Sequence, residues 1–281
     1  AAVARARQGG GVTRRGFAIH SLLGHHVDDV TGLLAALDLK RGYYWLHDFT
    51  SVCAGVHLMR NDVADCGAPP AGSPACGVCI YGPYRQGHVE AHHRLFQALD
   101  LTVVAPSQAT LDTWRLGPAY RVVEAKVLPH AALVARGQPA PVPETGPLRV
   151  AYLGFPVPHK GWPIFRDLAL KYADDPRYRF VHIGKAPAPG LRLEFHAARA
   201  AVDDPAAMQS AIEAAGVDVV MIWPLCRETF SFVAYEAVAA GAAVVTNADS
   251  GNVAAFVGQD GRGVVLRDEA ELDALFAGGE V

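Results

Sequence analysis

Apolar residues in the second half of the chain fall into short β-branched runs separated by longer stretches of mixed polarity. The runs are RVAYL (149–153), RFVHI (179–183), DVVMI (218–222), AVVTN (243–247) and GVVLR (263–267). Near-continuous apolar runs of this length suit strands covered on both faces, and their alternation with helical stretches predicts βαβ units around a parallel sheet. The first half is α/β in character too, but less regular. Its strand candidates are YYWLH (43–47), LTVVA (101–105) and VVEAKVL (122–128), with helices near 28–37 and 87–99.

Two segments lack a periodic pattern. Residues 67–82 are rich in Pro, Gly and Cys; residues 137–147, GQPAPVPETGP, set three prolines between two glycines and read as a linker. The linker predicts a first domain over 1–145, carrying a Cys-rich insertion at 53–82, and a second over 146–281. A doubly wound nucleotide-type domain opens with a strand and a Gly-rich turn. Residues 1–16 offer Gly9, Gly10 and Gly11 without a preceding strand, so the first domain is expected to be incomplete, its opening strands lying outside this chain.

With 281 residues, 51% of them hydrophobic, the chain can bury two cores. Its 25 basic and 28 acidic residues leave a formal charge of -3, which implies no general attraction to nucleic acid or anionic membrane. No apolar run approaches the roughly 18–20 residues of a membrane span, and the opening residues lack a signal-peptide core, so a cytoplasmic location is expected. The Ala- and Arg-rich composition points to a high-GC bacterial gene.

The densest chemistry lies in WPLCRETFSFVAYEAVAAG (223–241). It follows the DVVMI strand and predicts a loop and then a helix starting about Thr229 or Phe230. Glu228 stands at the helix entrance and Glu236 two turns inside, with the amides of Phe230 and Ser231 opening the helix. Free amides at a helix N-terminus suit a phosphate, and two nearby carboxylates can accept hydrogen bonds from sugar and ribose hydroxyls. Taken alone, two such glutamates more often complement a helix dipole and face solvent.

The surrounding order of residues resembles the family 4 glycosyltransferases, which have the GT-B fold and retain anomeric configuration. Their signature is a Glu, seven residues, a second Glu, then small residues, a Gly, a strand and a Gly-containing turn, matched through 228–251. LGFPVPHKGW (153–162) is similar to the family's loop in which a Lys, here Lys160, binds the donor diphosphate. Gly154 opens that loop, and Phe155 stands where the family usually has an Arg, five before the Lys. His47, ending YYWLH before Asp48, matches the family's histidine beside the transferred sugar, while Pro106-Ser107 and Leu128-Pro129-His130 are weaker matches.

The resemblance covers about residues 18–277 and implies an α/β protein of GT-B architecture, two Rossmann-like domains with parallel sheets facing across a cleft. It implies transfer of a sugar from a nucleotide diphosphate sugar to a carbohydrate or glycolipid acceptor, in bacterial surface polysaccharide or glycoconjugate synthesis. Peripheral membrane contact and no nucleic-acid partner would go with that role. His47, Lys160 and Glu228 would be catalytic. Gly154, Lys160, Gly184, Glu228, Thr229, Phe230, Ser231 and Glu236 would bind the donor, Glu236 at the ribose and Glu228 at the sugar. Two other readings stay open: a GT-B module that binds nucleotide sugar with little or no turnover, and a nucleotide-sugar epimerase.

Cys53, Cys66, Cys76 and Cys79, spaced C-x12-C-x9-C-x2-C, sit in the Pro/Gly-rich insertion. Four thiolates could fix such a loop around a structural zinc, with His57 able to replace one ligand; buried free thiols or a redox pair are alternatives. The family needs no metal for catalysis. His25-His26 and His88 with His92-His93 offer poorer ligand geometry, because adjacent histidines leave a helix on different faces.

Overall fold

The computed structural model describes residues 15–132, 146–188, 190–191, 193–260, 262–279 and 281. The Gly9–Gly11 run and most of the 137–147 linker lie outside them. The chain divides into two compact units, Ala1–His130 and Ala131–Val281; the expected boundary at 145/146 falls at the end of an undescribed stretch.

The first unit runs β1 (Ala18–Ile19), α1 (Val27–Ala36), β2 (Arg41–Trp45), β3 (Met59–Arg60), β4 (Ala64–Asp65), α2 (Pro74–Gly77), α3 (Gly82–Ala98), β5 (Asp100–Ala105), α4 (Gln108–Arg115) and β6 (Glu124–Val127). Its main sheet has the order β1-β2-β5-β6, all parallel, with Ala18 opposite Tyr43, Tyr44 opposite Val103 and Val103 opposite Ala125. β3 and β4 form a separate antiparallel pair inside the Cys-rich insertion. Tyr44, Leu46, Phe49, Leu95, Phe96, Leu101, Val103 and Trp114 pack the core.

Two boundaries differ from expectation for identifiable reasons. Strand β2 ends at Trp45, so His47 lies beyond the strand, although Leu46 N–H still donates to Val104 O at 2.9 Å. Helix α3 starts at Gly82, five residues early, because Pro83 sits in its first turn, where a missing N–H costs nothing.

The second unit runs β7 (Leu148–Leu153), a 3₁₀ turn (Pro158–Lys160), α5 (Trp162–Lys171), β8 (Tyr178–Gly184), β9 (Glu194–Ala197), α6 (Ala207–Ala214), β10 (Val219–Ile222), α7 (Phe232–Ala239), β11 (Ala243–Asn247), α8 (Asn252–Asp260), β12 (Gly263–Leu266) and α9 (Glu269–Gly278). Its six strands are all parallel, in the order β12-β11-β10-β7-β8-β9. Successive residues of β7 feed opposite cores. Ala151 and Leu153 pack with Val181, Val220, Ala234 and Val244, whereas Val150 and Tyr152 pack with Phe165, Phe180, Met221 and Phe276. Helices covering both faces explain why these strands read as unbroken apolar runs. Truncating a residue as buried as Phe165 to Ala would cost about 3–5 kcal/mol.

Candidate functional site

The strand order of the second unit fixes where a ligand can enter. From β7 the chain winds outward through β8 and β9, then returns to the other side of β7 as β10. The connections leaving β7 and β10 therefore part in opposite directions, opening a crevice at their carboxyl ends. A pocket lies there. Leu153, Gly154, Phe155, Val157 and Lys160 line it from the β7 side; Ile222, Pro224, Glu228, Phe230 and Ser231 line it from the β10 side, with Phe232 and Val233 of α7.

Glycines let the backbone take this shape. Gly154 has φ +93° and no other atom within 4 Å of where a Cβ would stand, so it leaves open space at the pocket. Gly161 (φ +81°) has the opposite character: a Cβ there would lie 1.9 Å from the Trp223 carbonyl oxygen, so only glycine lets the two loops meet. Leu225 N–H donates to His159 O at 2.9 Å, joining the same loops. Tyr152 Oη donates to Phe155 O, and Asn247 Nδ2 to Pro224 O, holding the rims.

Glu228 is fixed by its backbone. Its N–H donates to Ser250 O at 3.2 Å and its carbonyl accepts from Asn252 N–H at 2.9 Å, with Gly251 (φ +64°) pressed against it. Its side chain, 11% exposed, meets Lys160 Nζ at 2.5 Å; the lysine is 45% exposed. The two residues expected to contact different parts of a donor thus form an ion pair in one pocket. The lysine end is open to solvent, so an incoming anion can reach the ammonium, while the largely buried Glu228 carboxylate then needs another donor in its place. Phe155, at the position where the family resemblance implies an Arg, is 69% exposed at the rim.

Helix α7 begins at Phe232 with Ser231 as its N-cap residue, two to three residues later than expected. Its first-turn amides are therefore those of Phe232 and Val233 rather than Phe230 and Ser231; Ala234 N–H already donates to Ser231 O at 3.1 Å. The delay has a packing cause. Phe230 stacks on Tyr235 (4.5 Å between centroids), and Tyr235 on Phe256 (4.0 Å), which pins the segment before the helix. Glu236 lies in mid-helix, and burial pushes its carboxyl above the ordinary 4.5. Glu236, Thr229 and Gly184 are outside the pocket lining. A Cβ on Gly184 would come 2.6 Å from Gly154 O, so its missing side chain makes room for the loop rather than facing open space.

In the first unit His47 belongs to a row of imidazoles that sequence reading missed. His20 Nδ1 lies 2.8 Å from His47 Nε2, and His47 Nδ1 lies 3.1 Å from His130 Nε2. All three rings stack on Trp45 at 5.6–5.9 Å. Each of these bonds takes one proton, so the row has a direction. Burial, then the neighbouring His130 and His20, pull the His47 pKa below 6.5, against the opposing pull of Asp48. Asp48 itself accepts from Ser21 Oγ (2.7 Å), Thr50 N–H (2.8 Å) and Thr50 Oγ1. No sequence signal marked His20 or Ser21, which are brought in by the two-residue strand β1.

The four clustered cysteines line one pocket in the first unit, together with Arg85. All are free thiols, and His57 is exposed and not part of the lining. As their side chains stand, no group of three or more His, Cys, Asp or Glu among the described residues is arranged to hold a metal ion, so the expected zinc finds no preformed ligand set. Of the other histidine candidates, His88 and His92 make internal bonds, His92 Nδ1 with His88 O at 2.8 Å and His88 Nε2 with Thr50 O at 2.5 Å, while His25 and His26 are exposed. Burial drives the His92 pKa down to about 4.

No helix of the described residues is long and apolar enough to cross a membrane. No protein-family model and no curated protein matches the chain. Among solved structures it is similar to Anabaena HepE in complex with UDP-glucose, with TM-score 0.59 and 16% identity over 98% of this chain and 70% of that one. HepE with UDP and glucose gives TM-score 0.59 and 17% identity over 95% and 66%. The GtfA/B complex gives 0.51 and 12% over 86% and 44%. At such identities the likeness establishes the fold, which is α/β of the GT-B type, as expected.

Proposed function

We propose that the protein is a retaining glycosyltransferase that takes a sugar from a nucleotide diphosphate donor, UDP-glucose being the first donor to test, and passes it to a carbohydrate or glycolipid acceptor. One observation carries the reading: Gly154, Lys160, Glu228 and the start of α7 meet in a single pocket at the switch point of the six-stranded sheet. A lysine and the amides opening a helix are aimed where negative charge builds on a departing diphosphate, and fixed donors of that kind lower the barrier without reorganising. Released from its pair with Lys160, Glu228 accepts hydrogen bonds from the sugar. Glu236 is assigned to the ribose and His47 to the transferred ring.

Phe155 at the rim favours a second reading, a module that binds nucleotide sugar with little turnover. Calorimetric titration with UDP, GDP and their sugar conjugates tests the donor site. Saturable binding of one nucleotide should weaken about 10–100-fold in Glu236→Ala, the scale of a lost charge-assisted hydrogen bond, and weaken in Lys160→Ala as well. A folded chain that binds none of them overturns both readings; tight binding without sugar transfer selects the second.

A further inference from the structure

Beyond the nucleotide pocket, we propose that the pocket of the Cys-rich insertion binds one small monovalent anion, chloride being the first to test, on the buried guanidinium of Arg85 at the N-terminal end of α3. Arg85 lines that pocket and is 4% exposed. Its Nη1 donates to Cys76 Sγ at 2.9 Å, while its buried Nε and Nη2 have no hydrogen-bond partner among the described residues. A guanidinium cannot shed its proton to escape burial, so it needs both acceptors and a counter-charge.

The pocket lining contains no carboxylate and adds a second, exposed cation, Arg60. The two carboxylates of the insertion stand outside it and have donors of their own: Asp62 accepts from Tyr81 Oη at 2.7 Å, and Asp65 from Gly67 N–H at 2.9 Å. Burial pushes the Cys53 and Cys66 thiols up, so at neutral pH they are S–H groups, weak donors rather than counter-charges. Gly55 N–H donates to Cys53 Sγ at 3.4 Å, which leaves the thiol proton to turn into the pocket.

Helix α3 adds to the same field. Its first residue, Gly82, lines the pocket; no side chain caps its N-terminus, and its first turn carries no acidic residue. A helix start of that kind favours an anion. A Cβ on Gly82 would lie 1.9 Å from the Cys76 carbonyl oxygen, so the turn of α2 presses on the helix start. The cavity left is about 20 Å³, room for one particle of about water's size. That admits a halide ion and excludes sulfate, phosphate and the diphosphate of a nucleotide. An ion there ties the turns carrying residues 53, 66 and 76 to α3, in an insertion whose own strands β3 and β4 have two residues each.

The test uses the full chain in chloride-free gluconate buffer at constant ionic strength. Added chloride or bromide should raise the melting temperature along a saturable curve that sulfate and phosphate do not reproduce, and broadening of the chloride NMR line should titrate to a single site. Arg85→Gln should weaken chloride binding about 10–100-fold, the scale of a lost hydrogen bond to a charged group. Arg94→Gln, at an exposed arginine of the same helix paired with Asp28, should leave it unchanged. Because Arg85→Gln can disturb folding, bromide-soaked crystals of the unaltered chain provide a second reading: an anomalous peak beside Arg85 Nε and Nη2. Three results would overturn the proposal: no halide dependence beyond that of ionic strength, bromide peaks only elsewhere, or a thiolate absorbance at neutral pH that Cys76→Ser removes, which puts the counter-charge on the chain itself.

Discussion

The two units build their functional surfaces from different materials. In Ala131–Val281 the pocket is made by backbone: strand order opens it, Gly154 and Gly161 shape its first loop, and Gly251 allows the approach that fixes Glu228. In Ala1–His130 the comparable chemistry is made by side chains, the His20–His47–His130 row on Trp45 and the cysteine pocket around Arg85. A backbone-built site fails when a Cβ is added. A side-chain network degrades by degrees, and what it loses is electrostatic tuning.

The largest effect that can break this contrast is Gly161→Ala. Its Cβ would meet the Trp223 carbonyl at 1.9 Å in a left-handed conformation, so the second unit should lose about 3 kcal/mol or more in urea unfolding followed by tryptophan emission. His47→Ala, at an exposed position just past strand β2, should cost about 1 kcal/mol or less. Equal losses would erase the distinction. Next in size, Lys160→Ala should lower the rate of sugar transfer about 10²–10³-fold, the loss seen when one preorganised donor is removed from developing charge. It should also cost about 1–3 kcal/mol in unfolding, because it leaves the 11%-exposed Glu228 carboxylate without its lysine partner.

How far the sequence carried the account follows the same division. Five of the six strands of the second unit were legible because helices cover both faces, which forces continuous apolar runs, and the run 243–247 matches β11 end to end; the edge strand β9, EFHA with its ends exposed, carries no such run and was missed. The Glu228 and Lys160 motifs were legible because backbone sites need residues at fixed spacings. The start of α7 was not, because the stack of Phe230 on Tyr235 is a tertiary contact that overrides the local helix signal. His20 was invisible for a similar reason: it is 27 residues from His47 and arrives through a two-residue strand. The early start of α3 was hidden because Pro83 and Gly82 read as loop composition.

A subtler effect concerns Glu236. Burial makes its carboxyl harder to ionise in the folded chain than the ordinary 4.5. Its favourable contribution is therefore present in acid and lost as pH rises through the folded value. Glu236→Gln removes that loss, so the variant should melt higher than its parent at about pH 8 and converge with it below about pH 4. A variant that melts lower than its parent at about pH 8 would mean Glu236 gains a cationic partner instead. The smallest shift is in His47: removing His130 or His20 relieves both repulsion and burial, so its titration, followed by NMR of the imidazole, should move up toward 6.5. No movement would mean the row does not share charge.

Hydrogen–deuterium exchange of the chain with and without UDP-glucose tests the placement of the donor most directly. Protection confined to residues 152–161 and 228–236 is the predicted result. Protection at the surface pocket formed by Pro163, Asp167, Lys171 and Asp273, with none at the switch point, would contradict it.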